Sequence, residues 1–198
     1  MTSIENIAIE RHPLEPFLPA GARVLMLGSF PPKRERWSMD FFYPNRQNDM
    51  WRVMGLIFHK NAHHFETADH RGFDRERIVD FCTEKGIALY DTACQVRRLK
   101  DNASDKFLEV VTPTDIIALL RQISDCRAII TTGEKATSVI TTLAQCLSPA
   151  VGGKVDISLD GRELHLWRMP STSRAYPLKL EKKAAFYRQM FVEEGFAI

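Results

Sequence analysis

Small, polar and aromatic residues follow an apolar run in the segment 24–51 (VLMLGSFPPKRERWSMDFFYPNRQNDMW). The apolar run ends at Gly28, and a proline-stiffened turn comes directly after it. A strand that ends in such a turn exposes backbone N–H groups at the carboxyl end of a sheet. Together with aromatic rings and amides, these donors can hold a planar ring with polar substituents. The segment therefore indicates a binding site for such a ring.

Asp91 is a carboxylate at the end of a second apolar run, which spans residues 87–90 (IALY). A carboxylate at this position can act as a base or bind an N–H group of a ligand. The same side chain can instead cap the turn that follows it. The sequence leaves both interpretations open.

Two further segments invite a chemical interpretation. The segment 132–137 (TGEKAT) lacks the first glycine and the Gly-Lys-Ser/Thr order of a phosphate loop, so we do not predict a nucleoside triphosphatase. Ser171 and Ser173 follow the last predicted strand without the Gly-x-Ser-x-Gly pattern of an esterase nucleophile. We predict that their hydroxyl groups cap the backbone or contact phosphate.

Metal-ligating residue types are present but poorly arranged in the sequence. Four histidines lie in one polar segment that we predict to be an exposed connection, and no acidic or cysteine partner falls at a ligand spacing beside them: His59, His63, His64 and His70. The four cysteines are irregularly spaced without a CxxC pair, which favours buried, reduced thiols. The sequence thus predicts no metal site and no cofactor.

The elements that must position these groups alternate between strands and helices. Apolar runs at 24–27, 87–90 and 127–131 predict buried strands, and 155–159 and 163–168 flank a hairpin turn at Asp160-Gly161. Helical spacing follows at about 48–58, 74–85, 114–123, 134–147 and 179–194. This alternation predicts an α/β fold with a mostly parallel sheet. Four strand ends then converge on one edge, where open sheets bind ligands: Gly28-Ser29, Asp91-Thr92, Thr132-Gly133 and Met169-Pro170-Ser171.

The composition fits one globular domain over residues 1–198, with an irregular lead-in at 1–21 that contains three prolines. No apolar run is long enough to cross a bilayer and no signal-peptide pattern begins the chain, so we expect a cytoplasmic protein without membrane contact. The net charge of +2 is uninformative, but two basic clusters fit a phosphate-binding rim: Lys33, Arg34 and Arg36, and Arg97, Arg98 and Lys100.

Five blocks, in this order, resemble the uracil-DNA glycosylase superfamily: GSFPP (28–32), FFYPNRQNDMW (41–51), GIALYDTA (86–93), ITTGEKA (130–136) and MPSTSRA (169–175). In appearance they are closest to the hypoxanthine (deoxyinosine) DNA glycosylase branch. The resemblance implies a three-layer α/β/α sandwich with a short, mostly parallel central sheet. It also implies a base-excision repair enzyme that hydrolyses the N-glycosidic bond of a flipped-out deaminated base, hypoxanthine or uracil. The partner would be double- or single-stranded DNA, and we expect a monomer.

The resemblance also assigns roles to single residues. The first block would form a wall of the base pocket through Gly28, Ser29, Phe30 and Pro31. Tyr43 would stack on the base, with Phe42 as its neighbour or substitute. Asn48 and Asp91 would be catalytic. The DNA backbone would be held by a further set: Lys33, Arg34, Ser171, Thr172, Ser173 and Arg174.

Two positions depart from the superfamily pattern. Phe30 stands where many members carry a catalytic Asp or Asn, and Met169 stands where many carry His or Asn. Because an amide takes up no proton near neutral pH, we expect Asn48 to position water or bond the base, and Asp91 to stabilise the sugar cation. These departures motivate an alternative, a catalytically silent nucleic-acid-binding protein that retains the fold. A nucleoside hydrolase is a third interpretation.

Overall fold

The protein was analysed as a computed structural model that describes residues 7–100 and 107–198. A short 3-10 helix (Arg34–Arg36) precedes the first α-helix. The described residues form eight strands and five α-helices: β1 (Ile9–Arg11), β2 (Val24–Gly28), α1 (Met50–His59), α2 (Arg75–Lys85), β3 (Ile87–Asp91), β4 (Ala93–Arg98), β5 (Leu108–Pro113), α3 (Ile116–Gln122), β6 (Ala128–Thr132), α4 (Glu134–Ala144), β7 (Lys154–Leu159), β8 (Arg162–Met169) and α5 (Leu180–Glu193).

The central sheet has five strands in the order β3-β2-β6-β8-β7. The first four are parallel, and β7 pairs antiparallel with β8 at the edge. Every residue of β2, β3 and β6 is buried, as expected for strands covered on both faces. Asp160 and Gly161 both have positive φ angles, which suits the tight β7–β8 hairpin turn that their sequence predicts.

Helices cover both faces of this sheet. From β2 the chain first steps towards one edge of the sheet, to β3. It then crosses back past β2 to β6 and continues towards the opposite edge, to β8. Right-handed crossovers therefore place α1 and α2 on one face and α3 and α4 on the opposite face. The last helix, α5, packs against α1 and β8. The predicted α/β fold with a mostly parallel sheet is confirmed.

The irregular lead-in predicted for residues 1–21 is wrong for the part that the structure describes, which begins at residue 7. Strand β1 pairs with β4, and β4 pairs with β5, to form a second, antiparallel sheet. Phe17 further on exchanges backbone hydrogen bonds with Leu89 of β3 at 3.0 and 2.9 Å. The prolines interrupt this segment but leave short stretches between them that pair with distant strands.

Local signals set the ends of several helices as expected. Asp74 accepts a hydrogen bond from the Arg77 N–H at the start of α2, and Gly86 ends that helix with φ of 71°.

No helix in the described ranges is both long enough and apolar enough to cross a bilayer.

Candidate active site

The carboxyl ends of the four parallel strands meet at one edge of the sheet, where a cleft of about 620 Å³ opens. Each strand contributes to its lining: Gly28 from β2, Asp91 from β3, Thr132 from β6 and Ser171 directly after β8. The predicted convergence of strand ends therefore takes place. The volume lies within the range of about 300–1,000 Å³ that is usual for small-ligand sites. It suits a ligand of nucleoside size.

Asp91 supplies a buried carboxylate to this cleft. Its side chain is 10% exposed, and its Oδ2 accepts a hydrogen bond from His12 Nε2 at 2.9 Å. The hydroxyl group of Thr114 donates to the Asp91 backbone carbonyl at 2.7 Å. The imidazole of His12 is itself fixed by ring contacts with Phe30 and Tyr90, at centroid distances of 5.3 and 4.6 Å. His12 thus holds one oxygen of the carboxylate, while the Asp91 side chain also borders the cleft.

The proton on His12 can be placed from its partners. A carboxylate only accepts hydrogen bonds, so Nε2 carries the proton that bonds to Asp91. The other ring nitrogen, Nδ1, lies beside the backbone of Leu14. Sequence reasoning missed His12 because it falls in the segment predicted to be irregular. The alternating Ile7 and Ile9 before it were the signal that a short strand delivers this histidine.

Gly28 leaves the space that the Asp91 carboxylate occupies. A Cβ atom on residue 28 would overlap Oδ1 of Asp91, and it would lie 3.7 Å from the hydroxyl group of Tyr43. The neighbouring strand β3 thus brings the Asp91 carboxylate against the carboxyl end of β2. Glycine at position 28 is therefore required by the position of the Asp91 carboxylate.

Gly28→Ala should destabilise the protein by about 1–3 kcal/mol, the usual cost of forcing an extra group into a packed site. The backbone of Gly28 does not have a positive φ angle, so the cost comes from the overlap with Asp91 alone. Urea unfolding of four proteins tests this: wild type, Gly28→Ala, Asp91→Ala and the double variant. The penalty of Gly28→Ala should largely disappear when Asp91 is alanine. An equal penalty in both backgrounds would contradict the overlap.

Two adjacent aromatic residues have different environments. Phe42 borders the cleft but is 4% exposed and packs edge-on against Phe41 and Tyr90. Tyr43 is half-buried, and its hydroxyl group lies 3.2 Å from Oγ1 of Thr132. Its φ angle of 51° is in the left-handed region, which non-glycine residues rarely adopt. Both rings border the cleft, so the expectation that Tyr43 or Phe42 stacks on the base stays a prediction, and Tyr43 is the more exposed of the two.

Asn48 lines the cleft with part of its amide already engaged. Its Oδ1 accepts a hydrogen bond from the Met50 N–H at 2.9 Å, at the start of α1. An N–H group requires an acceptor, so this contact assigns the amide orientation. The NH2 group of Asn48 is then the part left to meet a ligand. Asn48 is consequently better suited to donate a hydrogen bond than to accept one.

The comparisons with known proteins concern the whole fold. No protein-family model and no curated protein matches this sequence. A solved structure does match: the solution NMR structure of a protein from Methanosarcina acetivorans that is provisionally named as a uracil DNA glycosylase. The two share a TM-score of 0.61 and 20% sequence identity, over 92% of this chain and 99% of the other. The chain has a uracil-DNA glycosylase-like fold.

Within this uracil-DNA glycosylase-like fold, a buried ion cluster joins the two loops that flank the cleft. Lys183 of α5 has a side chain that is 1% exposed, and its Nζ donates to Asp49 Oδ2 at 3.0 Å and to the Ser173 carbonyl at 2.8 Å. Arg174 Nε donates to Asp49 Oδ1 at 2.9 Å. The Asp49 N–H donates to the Thr172 carbonyl at 2.8 Å. Helix α5 therefore adds a buried ionic contact to the backbone and side-chain hydrogen bonds that join loops 45–49 and 171–174 directly.

Sequence reasoning missed both Asp49 and Lys183. A signal for Lys183 was present, since Lys183, Tyr187 and Met190 share one helical face and all three are buried. A lysine on the apolar face of a helix indicates a buried ionic partner. Nothing in the sequence identifies Asp49 as that partner, because the contact joins residues far apart in the chain.

Two predicted phosphate contacts are corrected. Thr172 is 1% exposed, and its carbonyl group serves the loop-to-loop contact with Asp49. Arg98 is buried in a two-pronged ion pair with Glu10, both contacts being 3.0 Å, and it also donates to the Pro31 carbonyl. Neither side chain is free to meet DNA. Arg98 lost that role because β4, which carries it, is a paired strand rather than the predicted loop.

The other predicted backbone contacts lie at the surface and remain predictions. Ser171 and Ser173 accept N–H bonds from their own loop, which leaves their hydroxyl protons for a ligand. Arg34 pairs with exposed Asp40 outside the cleft, whereas Arg36 lines the cleft. Lys33 is half-buried nearby, and Arg174 is half exposed beside its Asp49 contact.

The expectation that no acidic partner lies near the histidine segment is wrong. Glu66 is buried, and its Oε2 lies 2.9 Å from His63 Nδ1 and 2.8 Å from His70 Nδ1. Its Oε1 pairs with Arg52 at 2.6 Å. Burial alone raises the pKa of this carboxyl, but the bonds from His70, His63 and Arg52 outweigh it and lower the pKa to about 2. Glu66 is an anion at neutral pH.

The cysteines are free thiols, as predicted. Cys82 and Cys126 are buried, and burial raises the pKa of Cys126 to about 11. Cys94 and Cys146 are half-buried rather than fully buried. A buried thiol with a raised pKa is a poor nucleophile and a poor metal ligand.

Proposed function

We propose that this protein is a DNA glycosylase that hydrolyses the N-glycosidic bond of a deaminated base in DNA. The proposal depends chiefly on the Asp91 carboxylate, which His12 holds in a cleft shared with Tyr43 and Asn48. A fixed anion, an aromatic ring and an amide donor are the three groups that breakage of a base–sugar bond requires. The uracil-DNA glycosylase-like fold supports this function.

Binding would begin with extrusion of the target nucleotide, since a base inside a duplex cannot be reached. Extrusion costs a few kcal/mol and less at a mispair. Stacking of the extruded base on Tyr43 would contribute about 1–3 kcal/mol of binding free energy, which offsets part of this cost. Ser171, Ser173 and Arg36 would contact phosphates around the cleft, and such contacts make binding sensitive to salt but indifferent to sequence.

The chemistry would follow the charges that develop as the bond breaks. The sugar gains positive character, which the Asp91 carboxylate stabilises, and a water molecule then adds to the anomeric carbon. The departing base gains negative charge, which the NH2 group of Asn48 and backbone N–H groups after Gly28 stabilise. Preorganised groups of this kind are usually the largest catalytic contribution.

The preference for deaminated bases would come from hydrogen-bond polarity. Hypoxanthine and uracil present a carbonyl oxygen where adenine and cytosine present an amino group. A donor such as the Asn48 NH2 group can bond to the carbonyl oxygen of hypoxanthine or uracil. It cannot bond to the amino group of adenine or cytosine, which is itself a donor. The resemblance of the five sequence blocks to the hypoxanthine branch makes hypoxanthine our first expected substrate, with uracil as the second.

A panel of oligonucleotides tests the function directly. Single- and double-stranded DNA with one hypoxanthine, uracil or xanthine is incubated with the protein and treated with alkali. We expect cleavage at hypoxanthine or uracil and none in lesion-free strands. Asp91→Asn protein purified in parallel excludes a contaminating glycosylase. Salt-sensitive gel shifts without cleavage would instead identify a silent DNA-binding protein, and turnover of free inosine or uridine a nucleoside hydrolase.

The donor role of Asn48 can be separated from its role at the start of α1. Asn48→Asp keeps the oxygen that accepts the Met50 N–H but removes the NH2 donor, whereas Asn48→Ala removes both. Both variants should lose about 10²- to 10³-fold in single-turnover excision. Only Asn48→Ala should also lose stability, by about 0.5–2 kcal/mol. Full activity of Asn48→Asp would refute the donor role.

A further inference from the structure

A cluster of possible metal ligands lies away from the cleft, in the connection between α1 and α2. The Nδ1 atoms of His63 and His70 and a carboxylate oxygen of Glu66 lie within 4.8 Å of one another. Both imidazoles point at the same oxygen, Oε2, at 2.9 and 2.8 Å. Their planes are nearly perpendicular, with ring centroids 5.4 Å apart. Two imidazole nitrogens and one carboxylate oxygen are a common ligand set for zinc.

We propose that His63, Glu66 and His70 bind one Zn²⁺ ion, with water as the fourth ligand. Zinc–ligand bonds of about 2.0–2.1 Å place tetrahedral ligand atoms about 3.3 Å apart. The distance from each histidine nitrogen to Glu66 Oε2 therefore needs to increase by only about half an ångström. Both histidine side chains are 62% exposed, so they are free to make this adjustment and the ion can reach them.

The carboxylate is prepared for this role by its surroundings. Glu66 is buried and is fixed through Oε1 by the Arg52 guanidinium at 2.6 Å. Outer partners of this kind orient metal ligands and raise metal affinity. His70 has a φ angle of 55°, in the left-handed region, where histidine is one of the few non-glycine residue types that are enriched. This backbone conformation accompanies the hydrogen bond between its ring and Glu66.

Three protein ligands and one water are the usual set of catalytic zinc, but this ion would lie away from the cleft, so we expect its effect on the cleft to be structural. Arg52 also donates to the backbone carbonyls of Arg46 and Asn48, at 2.9 and 3.3 Å. Arg52 thus connects the proposed site to the loop that carries Asn48. An ion at Glu66 would hold Arg52 and this loop in place. The inference does not depend on the glycosylase activity, because it rests on a separate set of residues.

Zinc binding to the full chain, first freed of metal with a chelator, tests the proposal. Zn²⁺ is titrated in competition with a chromophoric chelator, and we expect one saturable site and a rise in melting temperature. His63→Asn and His70→Asn should each weaken binding by at least the 10- to 100-fold that loss of an outer partner costs. Asparagine accepts the left-handed backbone of residue 70, so these variants should remain folded.

His59→Asn and His64→Asn provide matched controls in the same segment. These two rings stack on each other 3.6 Å apart and do not bond to Glu66, so their replacement should leave zinc affinity unchanged. Co²⁺ bound in place of Zn²⁺ should give a tetrahedral spectrum without a sulfur charge-transfer band, which excludes the cysteines as ligands. Absence of one-to-one binding, or equal affinity in the His63 and His70 variants, would show a hydrogen-bonded cluster only and overturn the proposal.

Discussion

Asp91→Asn is expected to lower the single-turnover rate of base excision by about 10²- to 10³-fold, the usual effect of removing one preorganised electrostatic group. The substitution keeps the shape of the side chain, so the space beside Gly28 stays filled and His12 Nε2 still has an oxygen to bond. Only the negative charge is lost. Because that charge is needed when the sugar becomes positive, the rate should fall while DNA affinity stays the same.

His12 provides a second test of the same arrangement. His12→Phe keeps a ring against Phe30 and Tyr90 but removes the hydrogen bond to Asp91. A bond to a charged group contributes about 1.5–3 kcal/mol, which corresponds to about ten- to a hundredfold in rate. In the Asp91→Asn background the same change should have little effect, because His12 is a positioning residue that acts through the carboxylate. Additive losses, or an active Asp91→Asn enzyme, would contradict this interpretation.

Lys183→Met is expected to destabilise the protein by about 3–5 kcal/mol, the cost of leaving one member of a buried ion pair behind. The Asp49 carboxylate would keep Arg174 at 2.9 Å and Arg52 at 3.9 Å but lose its buried lysine, and the Ser173 carbonyl would lose a donor. Urea unfolding measures the change. Lys182→Met, on the exposed side of the same helix, is the control and should shift stability by no more than about 0.5 kcal/mol.

The double variant Lys183→Met/Asp49→Leu separates stability from activity. Replacing both charges by apolar groups removes the stranded carboxylate, so the double variant should be less destabilised than the sum of the two single changes. Its excision activity should nevertheless stay low, because only backbone hydrogen bonds, from the N–H of residue 49 to the Thr172 carbonyl and from the Arg174 N–H to the Gln47 carbonyl, then join loop 45–49 to loop 171–174. A double variant with full activity would show that the ion cluster does not organise the cleft.

The sequence alone was sufficient to predict the main sheet and the position of the cleft. Runs such as 24–27 and 87–90 are apolar throughout, and such runs form central parallel strands whose ends meet at one edge. Turn and cap residues such as Asp74 and Gly86 act on their immediate neighbours, which is why they could be read locally.

The groups that hold the site were harder to predict because they act over long distances. His12 reaches Asp91 only because β1 pairs with β4, with Ile9 opposite Arg97. That pairing depends on three-residue and six-residue strands whose local patterns are weak. No local pattern shows that the Asp91 carboxylate of the neighbouring strand lies against Gly28.

The position of Lys183 near the end of the chain also bears on protein synthesis. Chains emerge from the ribosome from the amino end, so His12, Asp91 and both flanking loops are made before α5. Until α5 docks, Asp49 lacks the lysine that joins the loops. We therefore expect a nascent chain to carry the residues that line the cleft before they reach their final arrangement, so that the proposed activity begins only once translation has passed this helix.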